Sequence, residues 1–216
     1  VKRIELKEKG VSTLKPRKIW FDETVQKLNV DGRGELLGEF RGEDKILVVS
    51  QKGVLKIIPP ELTTHFNDDM IVLEKWLPKK PISAIYFDGK KEKYFAKRFL
   101  VENENKEEVF ISDKKGSFLE LISTDWKPVF EIVFSKLRNK DQRPSQRIVF
   151  DEFISVKGIK AQGNQLTAHK VKQVNILEPI EYIPSIEKPA IQNEEVNNLS
   201  TNNNENEPDS TQATLF

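Results

Sequence analysis

The sequence of 216 residues has no cysteine, which excludes disulfide staples and thiolate metal sites and is compatible with a reducing cytosol. No uninterrupted apolar stretch approaches the ~20 residues that a membrane helix needs, so no membrane partner is expected. The N-terminus, Val1-Lys-Arg-Ile-Glu-Leu-Lys-Glu-Lys, is charged throughout and is no secretory signal. It also lacks an initiator methionine, so the chain is expected to be a piece of something longer. No window carries a sustained helical stripe, and the best helical candidate is a short piece near Asp22–Leu28. Catalytic groups are scarce as well. His65 and His169 are far apart, have no carboxylate pattern beside them, and read as solvated turn residues. No Gly-x-x-x-x-Gly-Lys-Ser/Thr phosphate loop is present. Asp31-Gly32-Arg33-Gly34 has no strand-then-helix context and reads as a glycine-rich turn. Asp68-Asp69 reads as a solvated turn before it reads as a metal site. Asn198-Leu-Ser200 fits a glycosylation sequon that has no meaning in a cytosolic protein. These absences favour a binding module over an enzyme.

What is present is charge, unevenly placed. The net charge is +1, but residues 186–216 hold six carboxylates against Lys188 alone, a balance of −5. The preceding 185 residues therefore carry +6. A mildly basic body with an acidic tail is a reason to consider a polyanion partner.

Residues 1–180 alternate short apolar runs with Gly, Pro, Asn, Asp and Lys clusters. Strands are expected at Lys45–Ser50, Val54–Ile58, Ile82–Phe87, Tyr94–Val101, Glu108–Ser112, Phe118–Ile122, Val129–Phe134 and Ile148–Ser155, runs rich in Val, Ile and Phe. Phe87-Asp88-Gly89-Lys90 adds a hairpin signal. Three phrase families repeat. The first is Ile-Leu-Val-Val-Ser50-Gln-Lys52-Gly53, Val-Phe-Ile-Ser112-Asp-Lys-Lys115-Gly116 and Phe-Ile-Ser155-Val-Lys157-Gly158, each read as a strand entering a basic hairpin tip. The second pairs Trp76-Leu-Pro78 with Trp126-Lys-Pro128, 50 positions apart. The third pairs Val1–Leu6 with Val171–Ile176, each read as the closing strand of a unit. Units of roughly 45–60 residues fit four-stranded blades in a propeller-like array; a non-repeating β-sandwich is the alternative. From about Glu181 the chain becomes polar and Asn-rich, and residues 186–216 are expected to be disordered because they cannot bury enough apolar surface to order themselves. The expected division is a β region over 1–185 and a tail over 186–216.

If the units surround an axis, Lys52, Lys115 and Lys157 fall on one rim. Lys56, Lys79, Lys80, Lys90, Lys91, Lys97, Arg98, Arg143 and Lys160 lie near it in sequence and complete the candidate DNA-binding set. Such a rim attracts duplex DNA through phosphate charge and counterion release, without reading sequence. A propeller-type protein scaffold with no nucleic-acid role is the alternative function.

Three stretches carry a family resemblance. They are Asn29-Val-Asp-Gly-Arg-Gly-Glu-Leu-Leu-Gly-Glu-Phe-Arg-Gly42, Val72-Leu-Glu-Lys-Trp-Leu-Pro-Lys-Lys-Pro-Ile-Ser-Ala-Ile-Tyr-Phe-Asp-Gly89 and Phe153-Ile-Ser-Val-Lys-Gly-Ile-Lys-Ala-Gln-Gly-Asn-Gln-Leu166. Over about residues 1–180 the chain resembles the C-terminal region of the DNA topoisomerase IV A-subunit in its Bacteroidetes form. The resemblance implies an all-β fold, the β-pinwheel shared with the DNA gyrase A-subunit, whose basic outer rim binds DNA. It implies no cofactor in this chain, with ATP and Mg used by other domains of the parent enzyme. It implies the topoisomerase IV B-subunit as a partner, a cytoplasmic, nucleoid-associated location, and a role in decatenation and relaxation. The family's catalytic tyrosine lies upstream; Tyr86, Tyr94 and Tyr182 match no part of that motif. Gyrase's Gln-Arg-Arg-Gly-Gly-Lys-Gly box is missing, since Asp31 to Gly38 carries one Arg and an acidic Glu35, which favours topoisomerase IV over wrapping. About three to four blades are legible, so further blades are expected before Val1.

The chain ends Gln212-Ala-Thr-Leu215-Phe216, which resembles the Gln-x-x-Leu-Phe peptide that docks bacterial proteins on the DNA-polymerase sliding clamp. Gln212 would orient the peptide while Leu215 and Phe216 fill a pocket. The competing readings are an acidic tail that competes with DNA for the basic rim, and a tail that only solubilises.

Overall fold

The computed structural model describes residues 15–102, 104–136, 138 and 141–182. Among these residues the chain writes one pattern four times. A hairpin forms first, and a third strand then returns to the far side of the hairpin's first strand. In the first unit these are β1 (Arg17–Asp22), β2 (Lys27–Asn29) and β3 (Glu35–Phe40), in the spatial order β2-β1-β3. In the second they are β4 (Ile46–Ser50), β5 (Val54–Ile58) and β6 (Met70–Lys75). In the third, β7 (Ile82–Asp88) and β8 (Lys93–Phe99) form the hairpin; β9 (Glu108–Val109) follows, and β10 (Phe118–Ser123) returns. In the fourth, β11 (Val129–Phe134) pairs with β12 (Gln146–Val149); the helical turn α1 (Phe150–Phe153) and β13 (Asn164–Gln165) follow, and β14 (Val171–Leu177) returns. The pairings are antiparallel throughout these sheets.

Each unit also reaches back to its predecessor. β9, from the third unit, pairs with β5 of the second, and β13, from the fourth, pairs with β8 of the third. His65 of the second unit makes a single antiparallel bridge to Lys27 on β2 of the first. Every back-reaching segment ends in a large apolar residue: Phe66, Phe110 and Leu166. Their amides donate to the carbonyls of Gln26 (3.0 Å), Gly53 (3.0 Å) and Tyr94 (2.8 Å), the residue just ahead of each pairing. All three side chains are buried. Each fills one of three successive cores, so consecutive sheets are stapled together by a strand and a plug. Burying one such side chain contributes about 1.5–3 kcal/mol.

These cores explain the strand composition. β4 and β7 are buried on both faces, so Ile-Leu-Val-Val and Ile-Ser-Ala-Ile-Tyr read as continuous runs instead of alternating ones. In the last sheet only one face of β11 enters a core, through Phe130, Ile132 and Phe134. The other face carries Glu131, whose carboxylate accepts from Ser145 (2.7 Å) and Asn175 (3.1 Å). Those hydrogen bonds hold Glu131 below the usual carboxylate range.

The architecture is the expected all-β pinwheel. Trp76 and Trp126 occupy equivalent links, each between a returning strand and the next unit's first strand. Several local expectations are corrected. The piece near Asp22–Leu28 is not helical; it is the β1–β2 turn and the start of β2. The strand expected over Ile148–Ser155 stops at Val149, and Phe150–Phe153 makes one helical turn. The run expected over Glu108–Ser112 is a two-residue strand, because the chain leaves that sheet to enter the next. Only the first copy of the basic phrase, at Ser50–Gly53, is a hairpin tip; the copies at Lys115 and Lys157 lie in links between sheets. Val1–Leu6, the tail over 186–216 and its last five residues lie outside the described residues. No helix of the described residues is long and apolar enough to cross a membrane.

Candidate nucleic-acid interface

The hairpin tips of the second and third units are joined by one link. Its start is fixed by Phe110, whose amide donates to Gly53 in the β4–β5 turn. Gly53 has φ +69°, and a Cβ there would stand 2.6 Å from Ile111 Cγ1, so the turn and the link are in direct contact. The far end of the link lies against the β7–β8 turn. A Cβ on Gly89 would stand 2.2 Å from the Lys115 carbonyl, and the Gly89 amide donates to Ser117 Oγ at 3.0 Å. Lys52, Lys114, Lys115, Lys90 and Lys91 therefore sit on two turns and the link that touches both, and all five are exposed.

Asp88 organises the second tip. Its Oδ1 accepts from the amides of Lys90 (2.9 Å) and Lys91 (3.0 Å). Burial pushes this carboxyl up, but those amides, Ser112 and the Lys91 charge outweigh it, and the group ends below the ordinary aspartate value. The buried carboxylate pins the turn from within, and both lysine side chains are left exposed on its outside.

The back-reaching segment of the fourth unit meets these cations with side-chain amides and adds Lys160 to them. Lys91 Nζ donates to Gln162 (2.7 Å), Lys157 Nζ to Asn164 (2.9 Å) and Lys93 Nζ to Gln165 (3.3 Å). These partners are neutral amides, so they position the ammonium groups without cancelling their charge. Lys160 is 70% exposed and lies 3.4 Å from the buried Glu108. Lys90, Lys91, Lys114 and Lys160 ring a groove of about 380 Å³ that has Lys97 and Phe110 in its lining.

The opposite sign collects elsewhere. A cavity of about 640 Å³ is lined by residues of all four returning strands: Glu35 of β3, Met70–Glu74 of β6, Ile122 and Ser123 of β10, and Ile176 of β14. Glu23, Glu35, Asp68, Glu74 and Asp125 face it, and no lysine or arginine of the described residues lines it. Carboxylates thus line the cavity where the returning strands converge, while the tips and links mix their lysines with Asp69, Glu92 and Asp113, the last 2.9 Å from Lys114.

The remaining expected positions divide by burial. Lys97 is 4% exposed; its ammonium donates to the carbonyls of Phe110 and, at 2.7 Å, Ile159. Burial, with the Lys160 charge, brings its pKa down to about 8. Arg98 is 7% exposed and donates to the Trp126 carbonyl at 2.8 Å. Both spend donors on carbonyls between sheets and expose almost no surface, so neither is kept in the set proposed to meet phosphates. Lys52 is exposed but lies 3.5 Å from Asp69. Lys56 is half-buried in β5, and Lys80 is held toward Glu74 at 4.0 Å. Lys79 is exposed on the β6–β7 link and does not line the groove. Arg143 stacks over Phe134 at 5.7 Å in the β11–β12 loop. Lys157 lies beside Phe99, at the far end of β8 from the tip. Sequence reasoning missed Lys114, which the Asp-Lys-Lys phrase could have supplied. It also missed the amide row on residues 162–165, for which the sequence holds no signal because the pairing with β8 comes from another unit. His65 is exposed on a back-reaching segment, and His169 meets the edge of Phe134.

Among known families, a model described as the topoisomerase C-terminal domain of Bacteroidota aligns with residues 27–178. No curated protein matches the chain.

Proposed function

The chain belongs to the Bacteroidota topoisomerase C-terminal domain family, and on that premise we propose that it is a non-catalytic module that holds duplex DNA by its phosphates for a type II topoisomerase. The observation that carries this reading is the link over residues 110–116, which makes two hairpin tips and five exposed lysines one contiguous surface. Lysine is a point charge on a flexible stem and carries no base readout, so such a surface grips any sequence. The acidic cavity repels a polyanion and leaves the cationic face as the route for the duplex. A further part of the proposal is that the parent is the topoisomerase IV A-subunit, working in decatenation and relaxation with its B-subunit partner, while ATP and Mg are bound by other domains. Clamp docking through Gln212, Leu215 and Phe216 is also proposed, and deletion of 212–216 with clamp affinity unchanged would discard it.

The test is DNA affinity as a function of salt. The slope of log K against log salt should fall by ~0.9 for every phosphate that a variant no longer neutralises. Charge reversal of Lys90, Lys91, Lys114, Lys115 and Lys160 should abolish most of the slope on duplexes of unrelated sequence. Absence of DNA binding by the unaltered chain at low salt would overturn the proposal and leave the protein scaffold.

A further inference from the structure

Among the described residues only two aromatic side chains are exposed, Phe118 at 43% and Tyr182 at 39%. Tyr182 lies flat on Trp126, with ring centroids 4.5 Å apart. Phe118 belongs to a row that crosses three neighbouring strands of the third sheet. It lies opposite Phe87 of β7 in register, and Phe87 lies opposite Tyr94 of β8. The Phe118 ring stacks on Phe87 with centroids 5.3 Å apart and planes at 23°. Tyr94 meets both rings edge-on, 5.1 Å from Phe87 and 6.3 Å from Phe118. Tyr94 packs against the core between the third and fourth sheets. One end of the row is therefore anchored, and the ring at the other end is left uncovered.

The row begins where the cationic tip and link touch. Residues 115–118 run beside residues 87–90: the Gly89 amide donates to Ser117 Oγ at 3.0 Å, and a Cβ on Gly89 would stand 2.8 Å from Gly116 Cα. Two glycines meet at this contact, and neither carries a side chain that could cover Phe118. Lys90, Lys93 and Lys115 are exposed on these segments and outnumber Glu92 and Glu120 there. Glu120 is engaged with the row itself, 3.5 Å from the Tyr94 hydroxyl. An open ring face beside ammonium groups is the pairing that holds an unpaired nucleotide, because the ring takes the base and the cations take its phosphates.

We propose that Phe118 is a stacking platform for an unpaired DNA base whose neighbouring phosphates are held by Lys90, Lys93 and Lys115. This inference rests on the reading that the tips and their link hold DNA by its phosphates. An intact duplex keeps its base faces inside the stack. A side chain that wedges into such a stack must stand off the protein, whereas Phe118 lies on Phe87 within its sheet. The base must therefore come out to the ring, as it does in a single strand or a locally opened duplex. The module then holds locally unpaired DNA more tightly than fully paired DNA.

Two duplexes of equal length and charge are titrated into the full chain, one fully paired and one with a short run of mismatched bases at its centre. The mismatched duplex should bind about tenfold more tightly, within the range for stacking one base. Phe118→Ala should remove that advantage. It should leave affinity for the paired duplex and the salt slope for both unchanged, because a ring releases no counterions. Phe118→Leu keeps apolar bulk without a π face and should behave as the Ala variant does. Phe118→Trp should keep the advantage, and its added fluorescence should be quenched by the mismatched duplex alone. Equal binding of the two duplexes by the unaltered chain overturns the proposal and leaves the phosphate-binding reading intact. Binding of neither at low salt overturns both. An advantage that survives Phe118→Ala or Phe118→Leu removes the ring from recognition and overturns the proposal. Equal weakening of both duplexes by Phe118→Ala makes the ring a support of the link and overturns it as well.

Discussion

The amide of Phe110 donates to the carbonyl of Gly53 at 3.0 Å, although the two belong to different structural units. That bond sets where β9 stops padding β5, buries the Phe110 ring in the core shared by the second and third sheets, and launches the link that carries Lys114 and Lys115. One backbone hydrogen bond therefore couples the packing of the sheets to the shape of the cationic face.

Phe110→Ala should cost about 3–5 kcal/mol in denaturant unfolding, the range for a large aromatic removed from a close-packed core. Leu166→Ala, its counterpart in the next core, should cost about 2–5 kcal/mol. Hydrogen exchange should show β9 losing protection in the first variant and β13 in the second. A loss confined to below about 0.5 kcal/mol in both would mean that the plugs do not staple the sheets.

Gly89→Ala removes no charge but should weaken DNA binding. The new Cβ meets the Lys115 carbonyl at 2.2 Å, so the link must move off the β7–β8 turn. A destabilisation of about 2–4 kcal/mol is expected for overpacking against backbone. Unaltered affinity in a folded variant would show that the packing of tip against link is irrelevant to the DNA surface.

Stability should rise with pH above about 8. Lys97 loses its proton near 8 in the folded protein because burial disfavours the ammonium, while a lysine in the unfolded chain keeps its proton to ~10.4. Between those values the unfolded state binds more protons, so unfolding becomes harder as pH increases. The trend should reverse above ~10, the ordinary tyrosine value. There an unfolded tyrosine ionises, whereas Tyr86 is pushed up to about 12, first by burial and then by the Asp88 charge, and stays protonated. Lys97→Met should erase the rise near pH 8. It should also destabilise the protein at neutral pH by about 1–3 kcal/mol for each orphaned carbonyl, those of Phe110 and Ile159.

The salt slope should sort the cations by burial. Lys91→Ala with Lys160→Ala should lower the slope by ~1.8 if each neutralises one phosphate. Lys97→Met should leave the slope unchanged at temperatures where the variant is folded, because a side chain 4% exposed releases no counterions. Equal slopes for both variants would contradict the division.

Much of the strand content was legible because burial writes itself into residue type. Ile46–Ser50, Val54–Ile58 and Val129–Phe134 announce strands by their β-branched and aromatic runs. β1 and β3 were not legible, since Arg17–Asp22 and Glu35–Phe40 hold charges among their apolar residues on half-exposed faces. β13 is two polar residues, Asn164 and Gln165, and is a strand only because β8 offers it a partner. The basic phrase at Lys115 and Lys157 resembles a hairpin tip because a link between sheets and a turn within one both need small, polar, soluble residues.

The sequence by itself determined the all-β class, the repetition and the excess of cations in the body, because these follow from composition and short-range pattern. Only the tertiary structure decided which cations face solvent. Lys90 and Lys97 are seven residues apart in one hairpin. One is outward because the Asp88 carboxylate pins its turn. The other is inward because segments from two other stretches of chain, at Phe110 and Ile159, converge on its ammonium. Burial of a charge depends on what the rest of the chain brings to it, and no local pattern encodes that.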